Sequence, residues 1–295
     1  MISTDWSRPC SRPEISQLCK KRRTLRRVFV TFLSDFGLQD DFVGTCHGVI
    51  KSIAPEVEII DVTHGISPQH VLQGALVLAN TTPYMPEGIH LAVVDPGVGS
   101  ARRPLALRSG TGRIFVGPDN GLLVPAAERL GGIDAVHELA NADYALDIVS
   151  RTFHGRDLFA PAAAHLAVGV SLEELGPPLA ADALARLDLP EPTIGENRIH
   201  ATVLYIDRFG NVQLNLTREH LQRAEVPPGT TIEVELGLDR YYAVVARTFA
   251  DARKGDVILY EDAYRNIALA ISGGNAAELF GAVPGQDVRM RLRAV

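Results

Sequence analysis

Apolar residues in this chain follow two rhythms, one before and one after about residue 199. In the first part, short unbroken apolar runs alternate with segments of helical period. RVFVTFLSDFG is a run ending in Asp-Phe-Gly, which predicts a buried parallel strand leading into a loop. DDFVGTCHGVIKSIA follows, placing Phe42, Val43, Cys46, Val49, Ile50 and Ile53 on one helical face. VEIIDVTHG predicts a second strand, VLQGALVLANTTPYM a second helix and GIHLAVVDPGVGS a third strand. That alternation belongs to a parallel sheet with crossover helices. PLALRSG and RIFVGPDNG predict a further hairpin, and DLFAPAAAHLAVG an Ala-rich helix with Asp157 near its start.

From Gly176 to Ile199 the sequence turns rich in Pro, Ala and acidic residues, which predicts a linker. Beyond it the rhythm changes. IHATVLYIDRFGNVQLNL, TTIEVELG, YYAVVARTF, DVILYED, IALAIS and DVRMRL are short strands separated by Gly, Asp, Asn and Pro turns. The expected fold is therefore an α/β N-terminal domain with a mainly parallel sheet (29–180), a linker (181–198) and a smaller all-β, barrel-like C-terminal domain (199–295).

Charge changes this picture at one end only. Residues 1–28 carry eight Lys/Arg against Asp5 and Glu14, leaving the body with 21 basic and 33 acidic residues. The leading segment reads as a disordered basic extension. The acidic body argues against broad phosphate-backbone binding, so no nucleic-acid partner is expected. No apolar run reaches the ~18 to 20 residues of a membrane span. Three cysteines without a CxxC pair suggest neither a zinc site nor a disulfide framework, and a cytoplasmic location is expected.

Four segments are denser in polar groups than a scaffold requires: SDFGLQDD, VDPGVGSARR, TFHGRD and IDRFGN. Each ends an apolar run. Asp35, Asp61 and Asp95 fall near the carboxyl ends of the three first strands, where open α/β sheets bind ligands. Singly, each residue has an ordinary reading. Asp35 suits a helix cap as well as a ligand contact. Asp95-Pro96-Gly97 suits a tight turn, and Asp207 with Asn211 suits a turn around Phe209-Gly210. His154 suits a satisfied buried imidazole, and Asp157 a helix cap with Arg156 as its surface neighbour. His47, His64, His70, His90 and His165 show no ligand spacing with carboxylates, so no metal site is expected.

Jointly, the segments resemble one family. TFLSDFGLQDDFVG, IIDVTHGISPQHVLQGALVL, AVVDPGVGS with Arg102, VGPDNGLL, RTFHGRDLFAPAAAHLA, IDRFGN and GNAAELFG are similar in letters and spacing to the S-adenosylmethionine (SAM) hydrolases, or hydroxide adenosyltransferases. These are relatives of the fluorinating and chlorinating enzymes. The resemblance runs from about Val30 to Ala282.

It implies a catalytic set of Asp95, Arg102 and His154, with water rather than halide as nucleophile, because the halogenating relatives carry Tyr at the positions of Asp95 and His154. It further implies that Asp35, with Asp40 nearby, holds the ribose hydroxyls and that Phe153 and Gln69 flank the sugar. Asp207 and Asn211 would bind the methionine end. A homotrimer with sites between subunits is implied, and no cofactor. Cys46-His47 departs from the expected Ala-Lys, and Ala263 and Gly273 fall where Ser and Arg often contact adenine. The competing readings are a halogenase of the same superfamily and a non-catalytic nucleoside-binding protein.

Overall fold

A computed structural model describes residues 28–292. The predicted basic extension, up to residue 27, lies outside the described residues. Strand β1 (Phe29–Ser34) is buried along nearly its whole length, as its unbroken apolar run requires. Helix α1 (Phe42–Ile53) buries Val43, Cys46 and Ile50. Then come β2 (Glu58–Thr63), α2 (Val71–Thr81), β3 (Gly88–Val93), β4 (Pro104–Ser109), β5 (Ile114–Pro118), α3 (Val124–Arg129), β6 (Ile133–Glu138) and α4 (Ala160–Ala167). The six strands form one sheet in the order β2-β1-β3-β5-β4-β6. β2, β1, β3 and β5 pair in parallel, and β4 runs against both of its neighbours.

Alternation along β1 sends side chains to two cores. Val30 and Phe32 join Val43, Cys46 and Ile50 of α1 and Ala160 and Ala163 of α4. Leu33 faces the other way, into a cluster with Ala75 and Leu78 of α2 and Ala126 of α3. The domain is thus a sheet covered by helices on both faces. Because the four parallel strands share a direction, their carboxyl ends line one edge. Ser34 of β1 sits in register with Val93 of β3.

The second domain comprises β7 (Thr193–Gly195), β8 (Arg198–Ile206), β9 (Val212–Thr217), β10 (Thr231–Leu236), β11 (Asp239–Ala246), β12 (Val257–Glu261), β13 (Asn266–Ile271) and β14 (Asp287–Leu292). Pairing of β14 with β8 closes seven strands into a barrel, with β7 appended to β8. β8, β10 and β14 show the alternating burial of strands with one core face. Ile199, Ile232, Val234, Val288 and Met290 fill the interior.

Ahead of β7 the chain is docked on the first domain as a strap. Arg103 Nη2–H donates to the Ala183 carbonyl at 2.6 Å, the Asp119 carboxylate accepts from the Ala185 N–H at 2.9 Å, and Leu184 is buried. Its far end contributes β7 to the barrel edge.

Candidate active site

The loop between β3 and β4 turns sharply at Asp95-Pro96-Gly97, where the Val98 N–H donates to the Asp95 carbonyl at 3.2 Å. Gly99 lies at φ +76°, and a Cβ there would meet the Arg151 carbonyl oxygen at 2.5 Å. Glycine therefore lets this loop touch the segment that carries His154. Within the loop, Arg102 Nε–H donates to both Asp95 oxygens at 3.0 Å, and Nη2–H donates to Oδ2 as well. The two side chains are 8% and 6% exposed. The same Nη2 lies 2.8 Å from His154 Nδ1, and the guanidinium sits over the Phe159 ring.

This geometry fixes a tautomer. A guanidinium only donates, so His154 Nδ1 must accept and Nε2 must carry the ring proton. Burial, followed by the Arg102 charge, pushes the His154 imidazole below the ordinary histidine range, which keeps it neutral. The result is a chain, Asp95 to Arg102 to His154, that presents an N–H donor at its far end.

Asp157 lies immediately after this chain, and its part differs from the helix cap expected of it. His154 precedes a π-helical turn, Gly155–Phe159, that leads into α4. Asp157 sits inside that turn with no exposed surface, and its Oδ2 accepts from the Ser150 N–H at 2.8 Å. It ties down the loop ahead of His154 rather than capping the helix. Arg156 Nε–H donates to it at 2.5 Å. Burial alone would raise the Asp157 carboxyl, but these hydrogen bonds and Arg156 hold it below the usual range.

Asp35 directly follows β1 and does not cap α1, whose N-cap position is Asp41, without a side-chain cap. Asp35 Oδ2 instead accepts from the Gln69 N–H at 2.8 Å. Gln69 adopts φ +64°, a left-handed backbone unfavourable to a residue with a side chain. Burial, with Asp95 contributing last, raises the Asp35 carboxyl. Phe153 packs edge-on against Phe36 and Phe42 at centroid distances of 5.7 and 5.2 Å. Asp40 is exposed in the turn before α1.

The barrel carries a second centre. Asp207 Oδ1 accepts from the N–H groups of Phe209 and Asn211 at 2.8 and 2.9 Å, and Oδ2 accepts from Asn211 Nδ2 at 2.7 Å. Gly210 has φ +80°, and a Cβ there would collide with the Asn275 side chain. This turn borders a cavity of about 720 Å³ whose walls include Tyr205, Asn211, Gln213, Tyr260 and Tyr264. Ala263 and Gly273 line it too. Gln213 is buried, and its Oε1 has no hydrogen-bond partner among the described residues. Burial pushes the Tyr260 phenol up to about 12 and Asp262 above its ordinary value. None of Asp35, Asp95, Arg102 or His154 lines this cavity.

Residues 30–176 match the profile of the SAM hydroxide adenosyltransferase N-terminal domain, and residues 201–289 match that of its C-terminal domain. The chain belongs to the SAM hydroxide adenosyltransferase family. It is 46% identical to the (R)-S-adenosyl-L-methionine hydrolase of Salinispora arenicola, over 89% of this chain and 97% of that one. A fluorinase of Nocardia brasiliensis is 30% identical over 90% and 98% of the two chains. Among solved structures, an uncharacterized conserved protein from Thermotoga maritima superposes with a TM-score of 0.82 at 32% identity, covering 89% and 99%.

The fold brings Asp95, Arg102 and His154 into one hydrogen-bonded group, near enough for the Asp95 charge to act on Asp35. Asp207 and Asn211 form a separate group. Gln213, Tyr205, Tyr260 and Asp262 were not singled out from sequence. Gln213 stands two positions beyond Asn211, on a strand whose alternation alone gives it no distinction. His47, Asp61 and His64, which show no ligand spacing along the sequence, place one ligand atom each within 4.8 Å of one another. Their proximity arises across α1 and the end of β2, which linear spacing does not reveal.

Proposed function

We propose that this chain hydrolyses (R)-S-adenosyl-L-methionine, the substrate that the names of its relatives give for them, and that the products are adenosine and L-methionine. The observation that carries the reading is the Asp95–Arg102–His154 chain. The substrate's leaving group, a thioether on a sulfonium centre, departs neutral and needs no acid. The difficulty lies with the nucleophile, since water is weak and hydroxide scarce. The Arg102 guanidinium and the His154 Nε2–H supply positive charge and a donor with which to hold hydroxide.

In the step proposed, the hydroxide oxygen bonds to the ribose 5′ carbon as the C5′–S bond breaks. The bonding pair goes to sulfur, and the proton lost from water leaves to solvent. With Nδ1 accepting from Arg102 and Nε2 already protonated, His154 positions the nucleophile rather than taking its proton. Asp95, both oxygens engaged by Arg102, holds the guanidinium in place. Asp35 binds the ribose hydroxyls, with Asp40 in the same neighbourhood, and Phe153 and Gln69 flank the sugar. Asp207 and Asn211 hold the methionine end. The reaction so drawn uses no cofactor.

The two groups of residues act in one site if the first domain of one subunit meets the barrel of the next, as in a homotrimer. The separate barrel cavity, with its unpartnered Gln213 oxygen, supports that arrangement. No helix among the described residues is long and apolar enough to cross a membrane. We assign the protein to the cytoplasm, where its substrate is made.

The test is incubation of the purified protein with each sulfonium epimer of SAM in oxygen-18 water. Label at the adenosine 5′ oxygen, with free methionine and preference for the R epimer, is the expected result. Adenosine without label, or a 5′-halogenated nucleoside in the presence of halide, would refute it.

A further inference from the structure

At the other end of the same sheet edge, three side chains converge without a part in the proposed chemistry. Asp61 lies on β2, His64 directly beyond it, and His47 on the facing side of α1. His47 Nε2 is 2.9 Å from Asp61 Oδ1, and His64 Nε2 is 3.1 Å from the same oxygen. All three donor atoms lie within 4.8 Å of one another. Donor atoms about 2.0 to 2.2 Å from a shared zinc ion stand roughly 3 to 3.5 Å apart; the separations of 2.9 Å (a hydrogen bond that His47 donates) and 3.1 Å from Asp61 Oδ1 are near that range, and the third lies within 4.8 Å.

The second observation concerns His64. Its side chain is 3% exposed, and its Nε2 is sealed from solvent without a hydrogen-bond partner among the described residues. Although Asp61 Oδ1 is near, the two atoms are not lined up for a hydrogen bond. The other His64 ring nitrogen, Nδ1, lies 2.7 Å from Ser34 Oγ, the kind of outer contact that orients a ligating imidazole. With Asp61 and His47 partly exposed, an ion could enter from solvent and complete its shell with water.

We infer that His47, Asp61 and His64 form a binding site for one divalent cation of the zinc class. Two imidazoles and one carboxylate are the nitrogen and oxygen donors that Zn2+ and Co2+ accept, and they suit Mg2+ or Ca2+ poorly. The ion would join α1 to the end of β2. Through Ser34 it would also brace the strand end that delivers Asp35.

The test is a titration of the chelator-treated full chain with Zn2+ against a chromophoric competitor, read alongside thermal unfolding. One equivalent bound, with Tm raised by several degrees, is expected. His47→Gln and Asp61→Asn should each weaken that binding by about tenfold or more, while the metal-free variants melt close to the metal-free parent. X-ray absorption of the zinc-loaded parent should show two imidazole ligands. Absence of stoichiometric binding would overturn the site and leave the trio as a hydrogen-bonded cluster. Equal binding by His47→Gln and the parent would overturn it as well, assigning the ion to other histidines. Neither readout depends on hydrolase activity, so the proposed reaction can fail without touching this one.

Discussion

The polar centre on the first sheet and the cavity of the barrel are both built from turns at strand ends, yet they are finished differently. In the first, charged groups are engaged by one another: Arg102 occupies both Asp95 oxygens and the His154 Nδ1, and Asp157 is held by Arg156 and the Ser150 N–H. In the barrel, the Gln213 oxygen is buried with nothing among the described residues to accept from. An unsatisfied buried acceptor costs roughly 1 to 3 kcal/mol, which a donor on a ligand would remove. One region is preset for chemistry, and the other is left open to be completed by what it binds.

The sharpest way to break this comparison is to remove charge from the preset half. Arg102→Met and His154→Ala should each lower kcat by about 100-fold or more, the scale expected for a lost donor at a developing or bound oxyanion. KM should move much less. A variant with normal kcat would show that the paired centre is only structural.

The open half should respond in the other parameter. Gln213→Leu and Asp207→Ala should raise KM by about tenfold, near the cost of one lost hydrogen bond to a charged or buried group, with a smaller change in kcat. Because Asp207 also accepts from two backbone N–H groups of its own turn, Gln213→Leu is the cleaner of the two. A fall in kcat with unchanged KM would erase the division of labour.

Mixing the two kinds of variant tests whether the halves meet between subunits. Asp95→Ala and Asp207→Ala chains, the first nearly inactive and the second about tenfold impaired at substrate well below KM, would be co-expressed, purified together and assayed at that low substrate. If each site joins two subunits, random assembly leaves roughly a quarter of the sites with both halves intact. Activity would return to that level. No recovery would place both halves in one chain.

Much of this division was legible in the amino-acid sequence, because motifs at strand ends report on local backbone. The strand-to-loop run TFLSDFG and the turn VDPGVG gave Asp35 and Asp95 their positions before any coordinates. What was not legible depends on closure and on facing surfaces. Asp157 looked like a helix cap because it precedes an Ala-rich run, but the chain enters that run through a π-helical turn that swings the carboxylate toward Ser150. Tyr205 and Tyr260 read as strand aromatics. Pairing of β8 with β9, β9 with β13 and β13 with β12 sets Tyr205, Gln213 and Tyr260 in one cross-strand row, which makes a cavity wall of them. His47 and Asp61 lie 14 residues apart on different elements, beyond any spacing rule for metal ligands.

The smallest effect is also the most direct probe of the preset half. Burial and then the Arg102 charge lower the His154 pKa below 6.5, with the carboxylates of Asp95 and Asp157 opposing. Between that lowered value and 6.5 the unfolded chain binds more protons at this histidine than the folded one. Its contribution to stability therefore rises with pH across that window and is complete above 6.5. Falling pH protonates Nδ1, which can then no longer accept from Arg102, so the chain of contacts opens and kcat should decline with the same midpoint. Ring resonances of His154 followed by NMR should titrate below pH 6.5 in the parent, and Arg102→Met should move that midpoint upward. A His154 that titrated above 6.5 would mean that the ring is held in its protonated form, and that Nδ1 does not accept from Arg102 in solution.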